Sequence, residues 1–332
     1  ARAWPVTAAV ALPAIIAVFR AEELGLEAFG YNVANADLVA ALNGAVDASA
    51  EIERIRLQTP VSIEPGRGEV VVRSAAGAPI AVPLVVGADG RASPSRQAAG
   101  IATRDWSYPQ TAIVTTLRHG RPHENTSTEL HRRAGPLTTV PLPGNTSSIV
   151  WVESPEEAGR LLGLDDDAFA RALEHRLGGI LGLIDSVGPR AAFPLAGMTA
   201  VSFAGRRIAL VGESAHVVPP IGAQGLNLGL RDGAGLAQIV ADALAAGEDP
   251  GADPVLARFD RDRRGDVAAR TAAVDLLNRS LISDFLPLAL ARGAGLHALG
   301  LLPPLRRRLM QAGLGRDSDL PPLMRGGIAA PR

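Results

Sequence analysis

The sequence contains no cysteine and no lysine. Without cysteine there is no disulfide, no thiolate metal site and no thiol nucleophile. All 33 basic residues are therefore arginine, which rules out a Schiff-base mechanism and the phosphate-binding lysine of a P-loop. An excess of one charge is missing too. The 34 acidic residues leave a net charge of −1, so no overall field argues for a nucleic-acid partner. No apolar run reaches about 18 residues, the length a membrane-crossing helix needs. Residues 6–19 are almost wholly apolar and follow Arg2, as in a signal peptide, but no small-residue cleavage site leads into a secreted-type sequence. His119, His123, His131 and His175 fit no metal-ligand spacing, and no metal site is expected.

What is present suits a globular chain with a large core, in one or two domains: 332 residues, 47% hydrophobic and 20% charged. The 36 glycines and 25 prolines are spread along the chain, which implies many turns rather than disorder.

One stretch, residues 206–234, carries the most chemistry. Ile208 to Val211 reads as a short buried strand. A loop of glycine, proline and small polar residues follows, from Gly212 to Gly225. From Leu226 the pattern turns helical, with Leu226, Leu230, Ala234 and Ala237 on one face. A helix start offers unpaired N–H groups and partial positive charge, and glycines before it let a ligand approach the backbone. Such a site suits a phosphate, or a cofactor that becomes negative as it reacts. Glu213 stands at the strand's C-terminal end, where ligands of open α/β sheets bind.

Elsewhere, Asn35 reads as the N-cap of a helix over residues 36–46, with Leu38, Ala41, Leu42 and Ala45 as its apolar face. Val70–Val72 and Ile80–Val82 form a hairpin pattern. Leu84–Val86 is a strand running into Gly87-Ala88-Asp89-Gly90-Arg91-Ala92-Ser93-Pro94-Ser95-Arg96, where Asp89 can hold a tight turn and Arg96 can pair with Asp89 or with a pyrophosphate. Residues 112–117, 137–142 and 148–151 read as strands of an antiparallel sheet. Asp165-Asp166-Asp167 is expected to start a helix whose apolar positions are Phe169, Leu173 and Leu177. Residues 256–281 read as a helix whose Arg258–Arg264 run, with opposite charges three and four apart, forms a solvated face; residues 281–312 are strongly apolar, ending in Arg306-Arg307-Arg308.

The run Gly212-Glu213-Ser214-Ala215-His216, Pro219-Pro220, Gly222-Ala223-Gln224-Gly225-Leu226-Asn227 and Arg231-Asp232 is similar to the second flavin signature of the class A FAD-dependent aromatic hydroxylases. The Gly87–Arg96 run resembles the same family's Asp-Gly motif, in the family's order, and the likeness is strongest to the ubiquinone-biosynthesis hydroxylases. It extends over about residues 22–318, and departs at Glu213, where the family has Asp. The family's G-x-G-x-x-G unit does not occur, so the chain is expected to be truncated at its start.

The resemblance implies a mixed α/β fold. A discontinuous Rossmann-like FAD/NAD(P)-binding domain would span residues 1–105 and 190–280, incomplete at its N-terminus. An antiparallel-sheet substrate domain would span 106–189, and a C-terminal helical segment 281–332. It implies hydroxylation of a polyprenyl-phenol ring through a flavin hydroperoxide, with NAD(P)H as electron donor and O2. Asp89, Gly90, Arg96, Gly212, Glu213, Pro220, Gly222, Gln224, Gly225, Leu226 and Asn227 would bind FAD. The implied location is cytoplasmic, with peripheral contact at the inner face of the membrane, a ubiquinone-biosynthesis complex or a homodimer as further partners.

Two alternatives stay open. One is a truncated or degenerate paralogue without activity. The other is a serine hydrolase, because Gly212-Glu213-Ser214 follows a strand and begins like a nucleophile elbow; His216 then stands where that turn wants a small residue. No general base is assignable.

Overall fold

The computed structural model describes residues 17–59, 61–220, 224–282, 294–295, 297–314 and 320–325. Residues 1–16 and 283–293, which belong to the apolar stretches noted above, lie outside the described residues. The chain divides into two units. One comprises Ala1–Tyr31 and Ser283–Asp319, the other Asn32–Ile282 and Leu320–Arg332.

The larger unit begins with α1 (Asn35–Ala48), then β1 (Val61–Pro65), β2 (Val70–Ser74), β3 (Ile80–Val82), β4 (Val85–Gly87) and α2 (Pro94–Ala98). The long β5 (Thr103–His119) leads to β6 (Thr128–Leu130), β7 (Leu137–Leu142) and β8 (Thr146–Glu153). After α3 (Pro155–Leu162) and α4 (Asp166–Leu177) come β9 (Ile184–Val187), β10 (Ala191–Ala200), β11 (Ala204–Gly205), β12 (Ile208–Leu210) and β13 (His216–Val217). Two long helices follow, α5 (Gln224–Ala245) and α6 (Asp253–Ile282). In the smaller unit, α7 (Pro303–Leu314) packs on a 3-10 turn at Ala21–Leu24, where Arg306 pairs with Glu23 at 2.8 Å.

Three sheets result. β1, β2 and β3 form an antiparallel meander. β12 pairs in parallel with β4 and antiparallel with β11. A seven-stranded antiparallel sheet runs β13-β10-β5-β8-β7-β6, with β9 also on β5. The strands at 70–74, 80–82, 137–142 and 146–153 follow from β-branched residues bounded by glycine and proline turns. α4 starts as expected: the Asp165 carboxylate accepts the Ala168 N–H at 2.7 Å, and Phe169, Leu173 and Leu177 are buried with Ile113, Leu137 and Trp151 of the sheet.

Two expectations fail. Asn35 is the first helical residue of α1 rather than its cap, Ala34 precedes it, and no residue of α1 is buried. On α5 the expected apolar face points to solvent, with Leu226 56% and Leu230 44% exposed. The face turned inward carries Leu228, Arg231, Asp232, Leu236 and Ala243. Both faces have helical spacing, so periodicity alone does not choose. The choice follows the polar partners of Asp232. Its carboxylate, fully buried, accepts the Gly212 N–H at 2.9 Å, the His216 Nε2 hydrogen at 2.6 Å and the Arg263 Nε hydrogen at 2.8 Å. A buried carboxylate is tolerated only when paired and hydrogen-bonded in this way.

A second polar seam ties β5 to α6. Trp106 Nε1 donates to the Tyr108 hydroxyl at 2.8 Å, which donates to Asp275 at 2.6 Å, and Asn278 donates to Gln110 at 2.9 Å. Burial first, then the Asp275 carboxylate, pushes the Tyr108 phenol up to about 12.

Two outcomes follow from these contacts. Asp232→Ala removes one of the two carboxylates that pair with Arg263 and strands the His216 hydrogen and the Gly212 N–H, and should cost about 3–5 kcal/mol. Urea unfolding would read this as a lower midpoint at unchanged slope; a loss under about 1 kcal/mol would show the carboxylate to be dispensable. Tyr108 stays protonated in the fold to about 12, against 10.0 for an unperturbed phenol. Its contribution is complete below pH 10.0 and is lost as pH rises towards about 12. In Tyr108→Phe the unfolding midpoint should fall less steeply across that window than in the unaltered chain; equal slopes would assign the alkaline loss to another group.

Candidate functional site

The parallel pairing of β4 with β12 sets Val85 beside Ile208 and Gly87 beside Leu210. The two strands therefore end together, and both signature loops leave from that C-terminal edge. In open α/β sheets ligands bind at this edge. The loops are then stitched to each other. Val211 N–H donates to the Gly87 carbonyl at 3.0 Å, and the Ser214 hydroxyl donates to the same oxygen at 2.6 Å. Arg96 and Ser214, 118 positions apart, meet when the guanidinium donates to the Ser214 carbonyl at 2.8 Å.

In the first loop, Asp89 holds the turn as its sequence position suggests. It accepts the Ser93 hydroxyl at 2.5 Å and the Ser95 N–H at 2.8 Å. Partial burial raises its pKa, but these bonds outweigh that and hold the carboxyl below the usual range. Gly90 takes φ = 79°, which an Asp-Gly turn of this kind asks of glycine. Arg96 is buried and bonds two carbonyls, those of Ser214 and Arg91, rather than Asp89.

In the second loop, Gly212 begins a 3-10 turn, Gly212–Ser214, at φ = 62°. A Cβ on Gly229 of α5 would lie 3.3 Å from the Gly212 Cα, so the paired glycines let the helix sit close against the turn. Glu213 is exposed at the tip, and Pro220 is exposed where the loop's described part ends. Gly222 lies outside the described residues. Gln224, Gly225 and Leu226 occupy the first turn of α5, whose N–H groups have no intrahelical acceptor. Gly225, Leu226 and Asn227 are exposed.

Ser214 does not behave as a nucleophile. It is fully buried, and its hydroxyl is committed to Gly87. The nearby His216 turns its Nε2 to Asp232 instead. A hydrolase triad is therefore not assembled.

The residues fit the ring end of a flavin. A 22-residue helix offers its positive end, an exposed glycine lies in its first turn, and an exposed carboxylate, Glu213, stands on the turn that packs against α5. Electron-rich oxygens suit the first, ligand hydroxyls the last. The sequence marks Arg231-Asp232 as part of a signature, and only the fold shows that Asp232 holds the loop. An acid among the leucines and alanines of α5 was the available signal. Asp260 and Arg263, expected on a solvated face, are instead buried, and Arg263 with Asp266 and Arg270 lines the side of α6 that faces α5.

Comparisons with known proteins give the family and the fold. The family model described as FAD binding domain matches residues 66–272. Ubiquinone hydroxylase UbiL of Rhodospirillum rubrum is 42% identical over 246 residues, 73% of this chain and 57% of the relative. The 3-demethoxyubiquinol 3-hydroxylase of Escherichia coli is 30% identical over 303 residues, 90% of this chain and 76% of the relative. The chain thus spans little more than half the length of some curated relatives it matches. Among solved structures, p-nitrophenol 4-monooxygenase PnpA from Pseudomonas putida shares the fold, with a TM-score of 0.68 at 18% identity, over 85% of this chain and 72% of that one. Klebsiella pneumoniae HpxO, solved with FAD and uric acid, gives 0.66 at 15% identity over 87% of this chain and 72% of that one. The chain belongs to the FAD-binding domain family of flavoprotein hydroxylases, which includes the ubiquinone-biosynthesis enzymes.

Proposed function

We propose that this protein is a FAD-dependent monooxygenase that hydroxylates the ring of a lipophilic phenol, a polyprenyl-phenol intermediate of ubiquinone biosynthesis, using O2 and NAD(P)H. The observation that carries the reading is the joining of the Gly87–Arg96 and Gly212–Asn227 loops at one strand edge, beside the start of α5. Bound FAD supplies the redox chemistry with dioxygen; the chain supplies binding, orientation and a field.

In this reading Glu213 hydrogen-bonds the ribityl or diphosphate part of the cofactor, one methylene further out than an aspartate would. Pro220 lines the ring. The N–H groups of Gln224, Gly225 and Leu226, with Asn227, face the ring edge that gains negative charge on reduction. Asp89, Gly90, Arg96 and Gly212 shape the two loops. Residues 1–105 and 190–280 belong to the FAD-binding domain, 106–189 to a substrate domain and 281–332 to a C-terminal helical segment. The face of the sheet opposite α3 and α4 presents half-buried Val114 and Val150 and exposed Phe193, an uncharged wall for a phenol ring.

We place the protein in the cytoplasm, touching the inner face of the membrane, with a ubiquinone-biosynthesis complex or a second copy as further partners. No helix among the described residues is long and apolar enough to cross a membrane. On the smaller unit, Leu301, Leu302, Leu305 and Leu309 are exposed beside Arg307 and Arg308. Such a surface suits an anionic bilayer.

Two experiments test the reading. The purified chain, mixed with FAD and desalted, should be yellow with near-stoichiometric flavin, and Glu213→Ala should retain several-fold less. A colourless product would favour the non-catalytic paralogue, and equal flavin in both chains would remove Glu213 from the site. The chain should also co-sediment with anionic but not with neutral vesicles; recovery in the supernatant of both would withdraw the membrane contact.

A further inference from the structure

The uncharged wall of the seven-stranded sheet ends in a titratable pair. Strand register carries one row of residues across five strands. Ala191 of β10 lies beside Val114 of β5, Val114 beside Val150 of β8, Val150 beside Thr138 of β7, and Thr138 beside Glu129 of β6. Residues paired in this way point to one face of a sheet. The next row, Ile113, Trp151, Leu137 and Leu130, points to the other face and packs on Phe169 and Leu173 of α4. Glu129 is therefore the charged end of the row that holds Val114 and Val150. Neighbouring strands lie about 4.8 Å apart, so Glu129 stands roughly 10 Å from Val150, with Thr138 between them.

Glu129 is not alone. His131, two residues on, brings its Nε2 to 2.7 Å from Glu129 Oε1, and the Thr138 hydroxyl donates to Oε2 at 3.3 Å. An ionised carboxylate only accepts, so Nε2 carries the hydrogen, and Nδ1 of the neutral ring keeps its lone pair. That nitrogen is buried and has no hydrogen-bond partner among the described residues. Buried polar atoms are nearly always paired, and one that the protein leaves unpaired is a place for a donor from outside. The pair keeps contact with water all the same, its side chains being 23% and 28% exposed. Arg132, next in the chain, turns to Glu153 at 3.0 Å. A carboxylate that fixes the tautomer of an imidazole, whose other nitrogen is left with its lone pair, has the parts of an oriented general base.

We propose that His131 is the catalytic base that takes the proton of the phenol hydroxyl, and that Glu129 is the positioning residue that orients it. The inference rests on the phenol wall proposed above. A ring lying over Thr138 has Val150 on one side and the pair on the other. In the step itself the phenol O–H bond breaks and the proton joins Nδ1. The bonding electrons stay on the phenolate and enrich its ring. Glu129 balances the imidazolium, which then releases the proton to water. An ordinary phenol, with a pKa of about 10, keeps its proton beside an imidazole of about 6.5 until the ring reacts. A more acidic phenol shows the transfer at rest.

The probe is p-nitrophenol, whose visible band appears only when its hydroxyl is ionised. The full chain is titrated without NAD(P)H at one pH unit below the probe's own pKa, where free probe is about one-tenth ionised. Dialysis gives the amount bound, and the band gives the ionised fraction. Bound to the unaltered chain, the probe should be several-fold more ionised than free probe. His131→Gln should return the bound probe to the free value. Glu129→Gln, which keeps a hydrogen-bond acceptor but not the charge, should lower the fraction in the same direction, and it carries the test if His131→Gln does not fold. A probe that binds the unaltered chain but stays protonated would overturn the proposal, as would equal ionisation in the unaltered chain and both variants. A probe that does not bind the unaltered chain would overturn the phenol wall, and the base with it.

Discussion

The larger unit turns on one buried carboxylate. Asp232 has no exposed surface and would be intolerable unpaired, so its three donors must converge on it. Those donors come from three places: the turn after β12, the short strand β13 and helix α6. One anion therefore sets the loop that follows β12 against the helix that follows the loop. The close pair Gly212 and Gly229 makes the approach sterically feasible. The exposed residues of the site, Glu213 and the first turn of α5, are presented from a support that is buried and polar.

The same device binds the two signatures into one site. β4 and β12 are short, and each is a modest strand alone. Their parallel pairing buries Ile208, Ala209 and Leu210 in a core with Phe203, Leu228 and Phe259. At the strand ends, Arg96 and Ser214 spend their polar atoms on backbone carbonyls of the two loops. Residues that resemble cofactor ligands in a motif are here fastening one loop to the other. Glu213, at the tip of the turn they hold, stays exposed.

Much of the architecture is legible in the sequence. The strands at 137–142 and 146–153, the hairpin at 70–82 and the Asp165-capped helix follow from local chemistry: β-branched runs, glycine and proline turns, an acid ahead of an amphipathic stretch. The flavin loops were legible as strand, glycine-rich loop and helix. What misled was periodicity without context. α5 has two faces of helical spacing, and the more apolar, through Leu226 and Leu230, is the one left in solvent. α1 has a clear apolar pattern and buries none of it. Propensity and spacing report that a helix can form. They do not report what lies beside it.

The sequence by itself determined the kind of protein: an arginine-only, cysteine-free α/β chain with two flavin-type signatures in family order, one of them altered at Glu213. These are covalent facts, and the chemistry they exclude stays excluded in any fold. Tertiary structure alone decided which side of α5 faces inward, that Arg96 serves Ser214, and that Ser214 is sealed away from solvent. The reason is range. Each of those choices is an electrostatic contact between residues far apart along the chain, and such contacts acquire their strength only when burial removes water from between them.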